Sequence, residues 1–409
     1  MSSFSKASVR DAEVAGRRVL VRADLNVPLA AHAPGREAEG VGRVVADDMR
    51  IRAALPTIEL LRERGAAIVL ASHLGRPGGK VDPGLSMAPV AKRLGELLGT
   101  EVKLAPGVIE GDVDLRCGAL GPGDVLLLEN TRFEPGETEN DPKLAETFAA
   151  LADLYVNDAF GAAHRAHAST EGVAHHIPGY AGLLLEREMN ELTAVVESPK
   201  KPLVVVLGGA KVSDKVGVID RFLDVANQIL IGGAMAFSFF RAQGIATGDS
   251  LVEEKGISLA AEALAKAKGS DCVLSLPVDL VIGRSFDADT ERREIDGVEV
   301  PDGWMGLDIG PKSAAEYAKA IAVAGTVLWN GPLGAFEMEP FAGGTRTVAA
   351  AVAKAPGTTV IGGGDSVAAL RKFGLDDEVD WLSTGGGASL ELLEGKKLPG
   401  VEALMDAED

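Results

Sequence analysis

Pro202-Leu203-Val204-Val205-Val206-Leu207-Gly208-Gly209-Ala210-Lys211-Val212-Ser213-Asp214-Lys215 is an unbroken apolar run that stops on two glycines and passes into polar residues. A strand with one wet face alternates apolar and polar residues. One that is apolar throughout must be covered on both faces, as in a parallel sheet flanked by helices. The glycines let the backbone approach a ligand closely. A helix starting there would present free amides and put Lys211 and Lys215, four apart, on one face. A tight turn followed by two solvated lysines explains the segment equally well. It is neither G-x-G-x-x-G nor G-x-x-x-x-G-K-[ST], so alone it names no nucleotide fold.

The same device recurs along the chain. Apolar runs stand at Arg18 to Asp24, Ala66 to Ser72, Asp124 to Asn130 and Leu154 to Asp158, then at Gln228 to Gly232, Cys272 to Leu276, Thr326 to Gly331, Thr358 to Gly363 and Asp380 to Thr384. Between them, Asp48 to Arg64, Ala88 to Leu98, Leu251 to Lys268 and Ser313 to Ala324 carry apolar residues at helical spacing. A charged helical stretch, Glu186 to Glu197, runs into Ser198-Pro199-Lys200-Lys201-Pro202, where the prolines stop it. This predicts an α/β fold of two Rossmann-like domains, parallel sheets flanked by helices, joined by a hinge helix. The expected bounds are 1–185, a hinge at 186–200 and a second domain at 201–394. Ligands of such open sheets bind beyond the strand carboxyl ends. Ala30 to Val45, rich in Pro and Gly, reads as an exposed loop or hairpin.

Size and charge narrow the function. A chain of 409 residues with 46% hydrophobic content exceeds what one core supports. A formal charge of -19 with no Lys/Arg run argues against nucleic acid and anionic membranes as partners. Cys117 and Cys272 are far apart and lack metal spacing, so neither a disulfide framework nor a zinc motif is expected. The polar start, Met1 to Asp11, and the lack of any 18-residue apolar stretch point to a soluble cytoplasmic protein.

The two halves differ in how their strands end. Residues 1–200 hold 16 Arg and 6 Lys, against 7 Arg and 12 Lys in 201–409. By the strand period of two, Arg22, Asp24 and Asn26 share one face. Ser72-His73-Leu74-Gly75-Arg76-Pro77, Glu129-Asn130-Thr131-Arg132-Phe133 and Gly161 to His167 follow the next three strands. One such Arg or His is ordinarily idle at a surface. Recurrence at four strand ends describes a cationic basin for a compact, multiply charged anion, with His73, His164 and His167 as phosphate donors. In the second half Gly362-Gly363-Gly364-Asp365-Ser366 links a strand to a helix, with Asp365 placed as N-cap or as a ligand of hydrated Mg²⁺. Ser383-Thr384-Gly385-Gly386-Gly387 repeats the turn. Trp329 to Glu337 adds a carboxylate suited to a pair of ribose hydroxyls, or to plain solvent.

Taken in order along nearly the whole chain, Val21 to Pro28, Ser72 to Pro77, Glu129 to Phe133, Ala163 to His167, Gly208 to Lys215, Trp304 to Pro311, Trp329 to Glu337, Gly362 to Ser366 and Ser383 to Gly387 resemble the phosphoglycerate kinases. The resemblance implies reversible transfer of the acyl phosphate of 1,3-bisphosphoglycerate to MgADP, giving 3-phosphoglycerate and MgATP. It places the acid substrate on Asp24, Asn26, Arg50, His73, Arg76, Arg132 and Arg165 in the first domain. It places the nucleotide on Lys211, Lys215, Gly306, Glu337, Gly363, Gly364, Asp365 and Ser366 in the second, with Mg²⁺ on Asp365. Arg50 and Lys215 would clamp the moving phosphoryl group once the hinge closes. The family also implies a monomer and a C-terminal tail, 395–409, folding back onto the first domain. Ser366 stands where many relatives have Thr, and the choice of Arg50 over Arg43 or Arg52 rests on Arg50-Ile51-Arg52-Ala53-Ala54-Leu55-Pro56. Two other readings of the residues remain at this point. A nicotinamide dehydrogenase would share the Gly-rich turns but lacks its fingerprint, and a non-enzymatic, hinge-closing anion-binding protein would need no second glycine set.

Overall fold

Residues 4–31 and 43–407 are described by the structure, a computed structural model. The chain divides into two compact units, one formed by Glu191–Lys396 and the other by the residues before and after that span. The division falls inside the helix Leu183–Glu197.

The first unit is built on a six-stranded sheet in the order Lys103–Leu104, Val125–Leu127, Ala67–Ala71, Arg18–Ala23, Leu154–Asp158, Gly179–Ala181. Every pairing is parallel. The central strands are buried along their length, with Val19, Val21, Ile68, Leu70, Leu127 and Val156 in one apolar cluster. Helices Met49–Glu63 and Ala88–Leu98 pack on that cluster through Ile51, Ala54, Ile58 and Leu61 and through Val90 and Leu94. The residues after Lys396 return to this unit: Asn157 Nδ2 donates to the Gly400 carbonyl at 2.9 Å, and Lys6 pairs with Asp406 at 2.7 Å. Leu29–Ala31 and Arg43–Val45 form a two-stranded antiparallel ribbon. The rest of the stretch expected to be a loop, residues 32–42, lies outside the described residues.

The second unit has its own six-stranded sheet, Val273–Ser275, Gln228–Ile231, Leu203–Leu207, Thr326–Asn330, Thr358–Gly362, Trp381–Leu382, again parallel throughout. Leu203–Leu207, the apolar run ahead of Gly208, is central and buried at every position. Trp329 is fully buried, and its indole donates to the Gly331 carbonyl at 2.7 Å, so the core itself fixes the turn where this strand ends. A three-stranded antiparallel sheet, Arg292–Ile295, Leu280–Gly283, Met305–Ile309, is appended. None of these three is among the strands predicted above: Arg292–Ile295 is charged and mostly exposed and shows no apolar pattern, whereas Leu280–Gly283 is apolar and buried at all four positions. In both units the strands end in the polar or glycine-rich segments singled out above, so the topology gathers those segments at one edge of each sheet.

Candidate active site

In the first unit the strand Arg18–Ala23 stops one residue before Asp24, so the period of two does not carry Asp24 and Asn26 onto the face of Arg22. Tertiary contacts gather them instead. Arg22 is 1% exposed and held at three points: Nε donates to Ser169 Oγ at 2.9 Å, Nη1 to the Ala23 carbonyl, and Nη2 to His73 Nδ1 at 3.0 Å. Ser169 in turn donates through N and Oγ to the buried carboxylate of Glu137, at 3.0 and 2.6 Å. Arginine can only donate, so His73 Nδ1 is the acceptor and its ring proton sits on Nε2. Burial, reinforced by the charges of Arg22, Arg132 and Arg50, holds His73 well below the ordinary imidazole range. Burial and the charges of Arg132, Arg22 and Arg165 likewise bring His167 down to about 4. These histidines are neutral hydrogen-bonding groups, so the positive charge of the basin comes from its arginines.

Arg50, in the first turn of Met49–Glu63, pairs with Asp24 at 2.7 Å, and Asp24 is 5% exposed. Asn26 Oδ1 accepts from Gly75 N at 2.9 Å, while Arg132 Nη1 donates to the Gly75 carbonyl at 2.9 Å. The loop after the strand Ala67–Ala71 is thereby tied to two neighbouring strand ends. Arg76, Arg132, Arg165 and His167 line one cavity of about 340 Å³. Two polar atoms there, Arg132 Nε and His167 Nδ1, are buried without a hydrogen-bond partner. Leaving such groups unmatched costs about 1–3 kcal/mol each, a cost an anionic ligand or ordered water would relieve. Arg22 and His167 are not among the site residues that the family resemblance implies. The signal for both is the strand-end position already noted.

In the second unit the helix begins at Val216, so Lys211 and Lys215 precede it and share no helical face. Lys211 is exposed. Lys215 occupies the N-cap position, is 8% exposed, and donates from Nζ to Asn330 Oδ1. Burial lowers its ammonium to about 8, against the opposing pull of Asp214 and Asp365. Asn330 Nδ2 is buried and unpartnered, beside Gly362 and Gly363. Nothing in the sequence singles out Asn330, because it is the last residue of an apolar strand. Asp365 is exposed in the first turn of Gly364–Phe373, while the N-cap is Gly363, so the capping role considered for Asp365 falls away. Ser366 is fully buried, and its Oγ accepts from Gly331 N at 2.6 Å.

The glycines separate by cause. A Cβ on Gly208 would lie 2.0 Å from the Pro332 carbonyl oxygen, and one on Gly331 would lie 2.4 Å from that of Gly208, so these two turns need glycine to pack on each other. Gly363 needs it for its φ of 86°. At Gly364 a Cβ would meet nothing within 4 Å and no positive φ is involved, so neither packing nor conformation accounts for the residue. Lys211, Asp214, Lys215, Asn330, Gly363, Gly364, Asp365 and Ser366 line a cavity of about 310 Å³. A second cavity, of about 580 Å³ and mostly apolar, shares Gly209, Ala210 and Asp365 with the first and adds Phe237, Gly306, Leu333 and Glu337. Gly306 lies against Phe237: a Cβ there would stand 2.1 Å from the ring. One cavity is thus polar and carries both lysines, while the other is mostly apolar with the carboxylates of Asp249, Asp308, Glu337 and Asp365 on its wall. Among the described residues no group of three or more His, Cys, Asp or Glu could cage a metal.

Donors and positive charge for an anion in one α/β unit, with glycine turns, a buried lysine and an exposed aspartate in the other, are the equipment of a phosphotransferase that works by positioning and charge. The family model "Phosphoglycerate kinase" matches residues 9–396. The chain is 51% identical over 411 residues to the phosphoglycerate kinase of Acaryochloris marina, covering 100% of each. To that of Moorella thermoacetica it is 52% identical over 403 residues, 98% of this chain and 100% of the relative. The solved structure of phosphoglycerate kinase from Coxiella burnetii matches with a TM-score of 0.84 at 41% identity, over 97% of this chain and 98% of that one. The structure from Pyrococcus horikoshii gives 0.82 at 31%, with the same coverage. The chain belongs to the phosphoglycerate kinase family. The two-domain α/β class expected from the sequence holds, and the dehydrogenase and capture-protein readings do not.

Proposed function

We propose that this protein catalyses the reversible transfer of the acyl phosphate of 1,3-bisphosphoglycerate to MgADP, yielding 3-phosphoglycerate and MgATP, with each substrate held by one unit. The acid substrate would sit on Asp24, Asn26, Arg50, His73, Arg76, Arg132 and Arg165. The nucleotide would occupy the paired cavities, with its phosphates by Lys211, Lys215, Gly363, Gly364 and Ser366 and its ribose hydroxyls on Glu337. The observation that carries this reading is Gly364, whose open space in a cavity lined by Lys215 and Asp365 is what a phosphate needs. Magnesium takes one or two carboxylates plus substrate phosphates and keeps several waters, which suits Asp365 and a site without a ready-made cage. When bound there it would neutralise charge on the nucleotide phosphates.

Transfer forms a bond from a terminal oxygen of ADP to phosphorus and breaks the bond from phosphorus to the acyl oxygen, which leaves as carboxylate. The attacking oxygen is already ionised and the leaving group is good, so neither a protein base nor a nucleophile is required. The protein's share is positioning and positive charge. Arg50 and Lys215 would meet the transferring group on closure about the helix Leu183–Glu197, which would also keep water from the acyl phosphate. The enzyme is read as a cytoplasmic monomer; among the described residues no helix is long and apolar enough to cross a membrane. Formation of ATP from 1,3-bisphosphoglycerate and MgADP tests the reading, and a folded preparation with no such activity would refute it.

A further inference from the structure

Lys372 lies in the last turn of Gly364–Phe373, the helix whose first turn carries Asp365 and Ser366. Its ammonium donates to two successive backbone carbonyls, Phe336 at 2.8 Å and Glu337 at 2.8 Å. An exposed lysine ordinarily leaves its head in water, because ordering the four-carbon stem costs rotamer entropy. Here both bonds are charge-assisted, and they fix the peptide groups on either side of the Glu337 Cα. The preceding part of the same loop is held at separate points. Ala335 N donates to the Leu307 carbonyl at 2.7 Å, Phe336 is 4% exposed, and a Cβ on Gly334 would lie 2.1 Å from Asp308 Oδ1. Beyond it, Arg346 Nη2 donates to both carboxylate oxygens of Glu339, at 2.6 and 2.8 Å. Glu337 itself is exposed and faces the mostly apolar cavity together with Asp365.

We infer that Lys372 is a positioning residue for nucleotide binding. It fixes the backbone from which the Glu337 carboxylate reaches the ribose. The inference rests on the ribose role proposed for Glu337. A lysine that merely stabilised the loop would affect all nucleotides alike, whereas one acting through Glu337 matters only when the sugar has hydroxyls to bind.

Calorimetric titration of the full chain with MgADP and with Mg-2′,3′-dideoxy-ADP separates these cases. Wild-type protein should bind MgADP about tenfold more tightly than the dideoxy nucleotide, the value of hydrogen bonds to a charged acceptor. Lys372→Met should lose about tenfold for MgADP and almost nothing for the dideoxy nucleotide, so that discrimination vanishes. Lys372→Arg, which keeps charge and donors, should recover part of it, and KM for 3-phosphoglycerate should stay unchanged. Should Lys372→Met fail to fold, Lys372→Gln provides the same comparison with the charge removed. Equal weakening of both nucleotides would overturn the role of Lys372 while leaving that of Glu337 intact. Wild-type protein that does not distinguish the two nucleotides, together with a silent Glu337→Ala, would remove the ribose role and this inference with it.

Discussion

Nucleotide binding should draw a proton onto Lys215, in an amount set by pH. Burial lowers this ammonium from an ordinary 10.5 to about 8 in the free protein. Half of it is then neutral near pH 8, about a tenth at pH 7 and about nine-tenths at pH 9. Nucleotide phosphates beside it would favour the charged form and push the value back up. Their own last ionisation is complete above pH 7.5, since phosphate monoesters titrate near about 6. Proton uptake per MgADP bound should therefore climb from about 0.1 at pH 7 to about 0.9 at pH 9, and affinity should fall towards tenfold per pH unit above 8. The sign also appears in folding. The unfolded chain binds this proton up to 10.5 and the folded one only up to about 8, so stability from this group rises with pH between those values. Below pH 8 the buried charge costs about 3 kcal/mol. Calorimetry in two buffers of different ionisation enthalpy, at pH 7, 8 and 9, measures the uptake. Uptake near zero at pH 9, or uptake that persists in Lys215→Met, would refute the assignment.

Replacing Arg50 with Ala should lower kcat by about 10²–10³-fold, the scale of losing one donor to developing charge, with MgADP affinity nearly unchanged. A large loss of ADP binding in stopped-flow or calorimetric titration would contradict a role confined to transfer. Asp158 is fully buried with Oδ2 unpartnered, and burial raises its carboxyl from 3.8 to about 7 despite bonds from Thr57, Leu184 and Leu185. Between those values the folded chain holds a proton that the unfolded chain has released, so stability falls as pH rises through the window, by up to about 4 kcal/mol. Asp158→Asn should remove that slope, and denaturant titrations at pH 4.5 and 7.5 showing a constant difference from wild type would count against it. Gly306→Ala places a methyl against the Phe237 ring at 2.1 Å, and should cost about 1–3 kcal/mol of stability while weakening nucleotide more than 3-phosphoglycerate. Unchanged melting and unchanged ADP affinity would show that the cavity wall yields freely.

Elements long enough to display a period are legible in the amino-acid pattern alone. The helix Ala88–Leu98 and the strand Leu154–Asp158 fall where that pattern puts them, and Leu203–Leu207 lies inside its predicted run. Lys103–Leu104 and Gly179–Ala181, of two and three residues, are too short to show periodicity and exist because a neighbouring strand offers them hydrogen bonds. The helix predicted to follow Gly209 starts later, at Val216, and Gly208 and Gly209 are instead held on the Gly331-Pro332 turn, with Gly209 N donating to the Pro332 carbonyl at 2.9 Å.

Local chemistry in the chain was enough to determine that apolar runs would become parallel strands covered on both faces, and that Arg76, Arg132, Arg165, Asp365 and the glycines would stand at their ends. It could not determine protonation or accessibility, which depend on groups distant in sequence. His73 is neutral because the fold buries it and, second, because Arg22, 51 residues away, donates to its Nδ1. Lys215 is a weakened base because it is buried against Asn330, 115 residues on. The glycines show the same divide: in the sequence they look alike, and only the distances around each one separate those that packing requires from Gly364, where the space is left open.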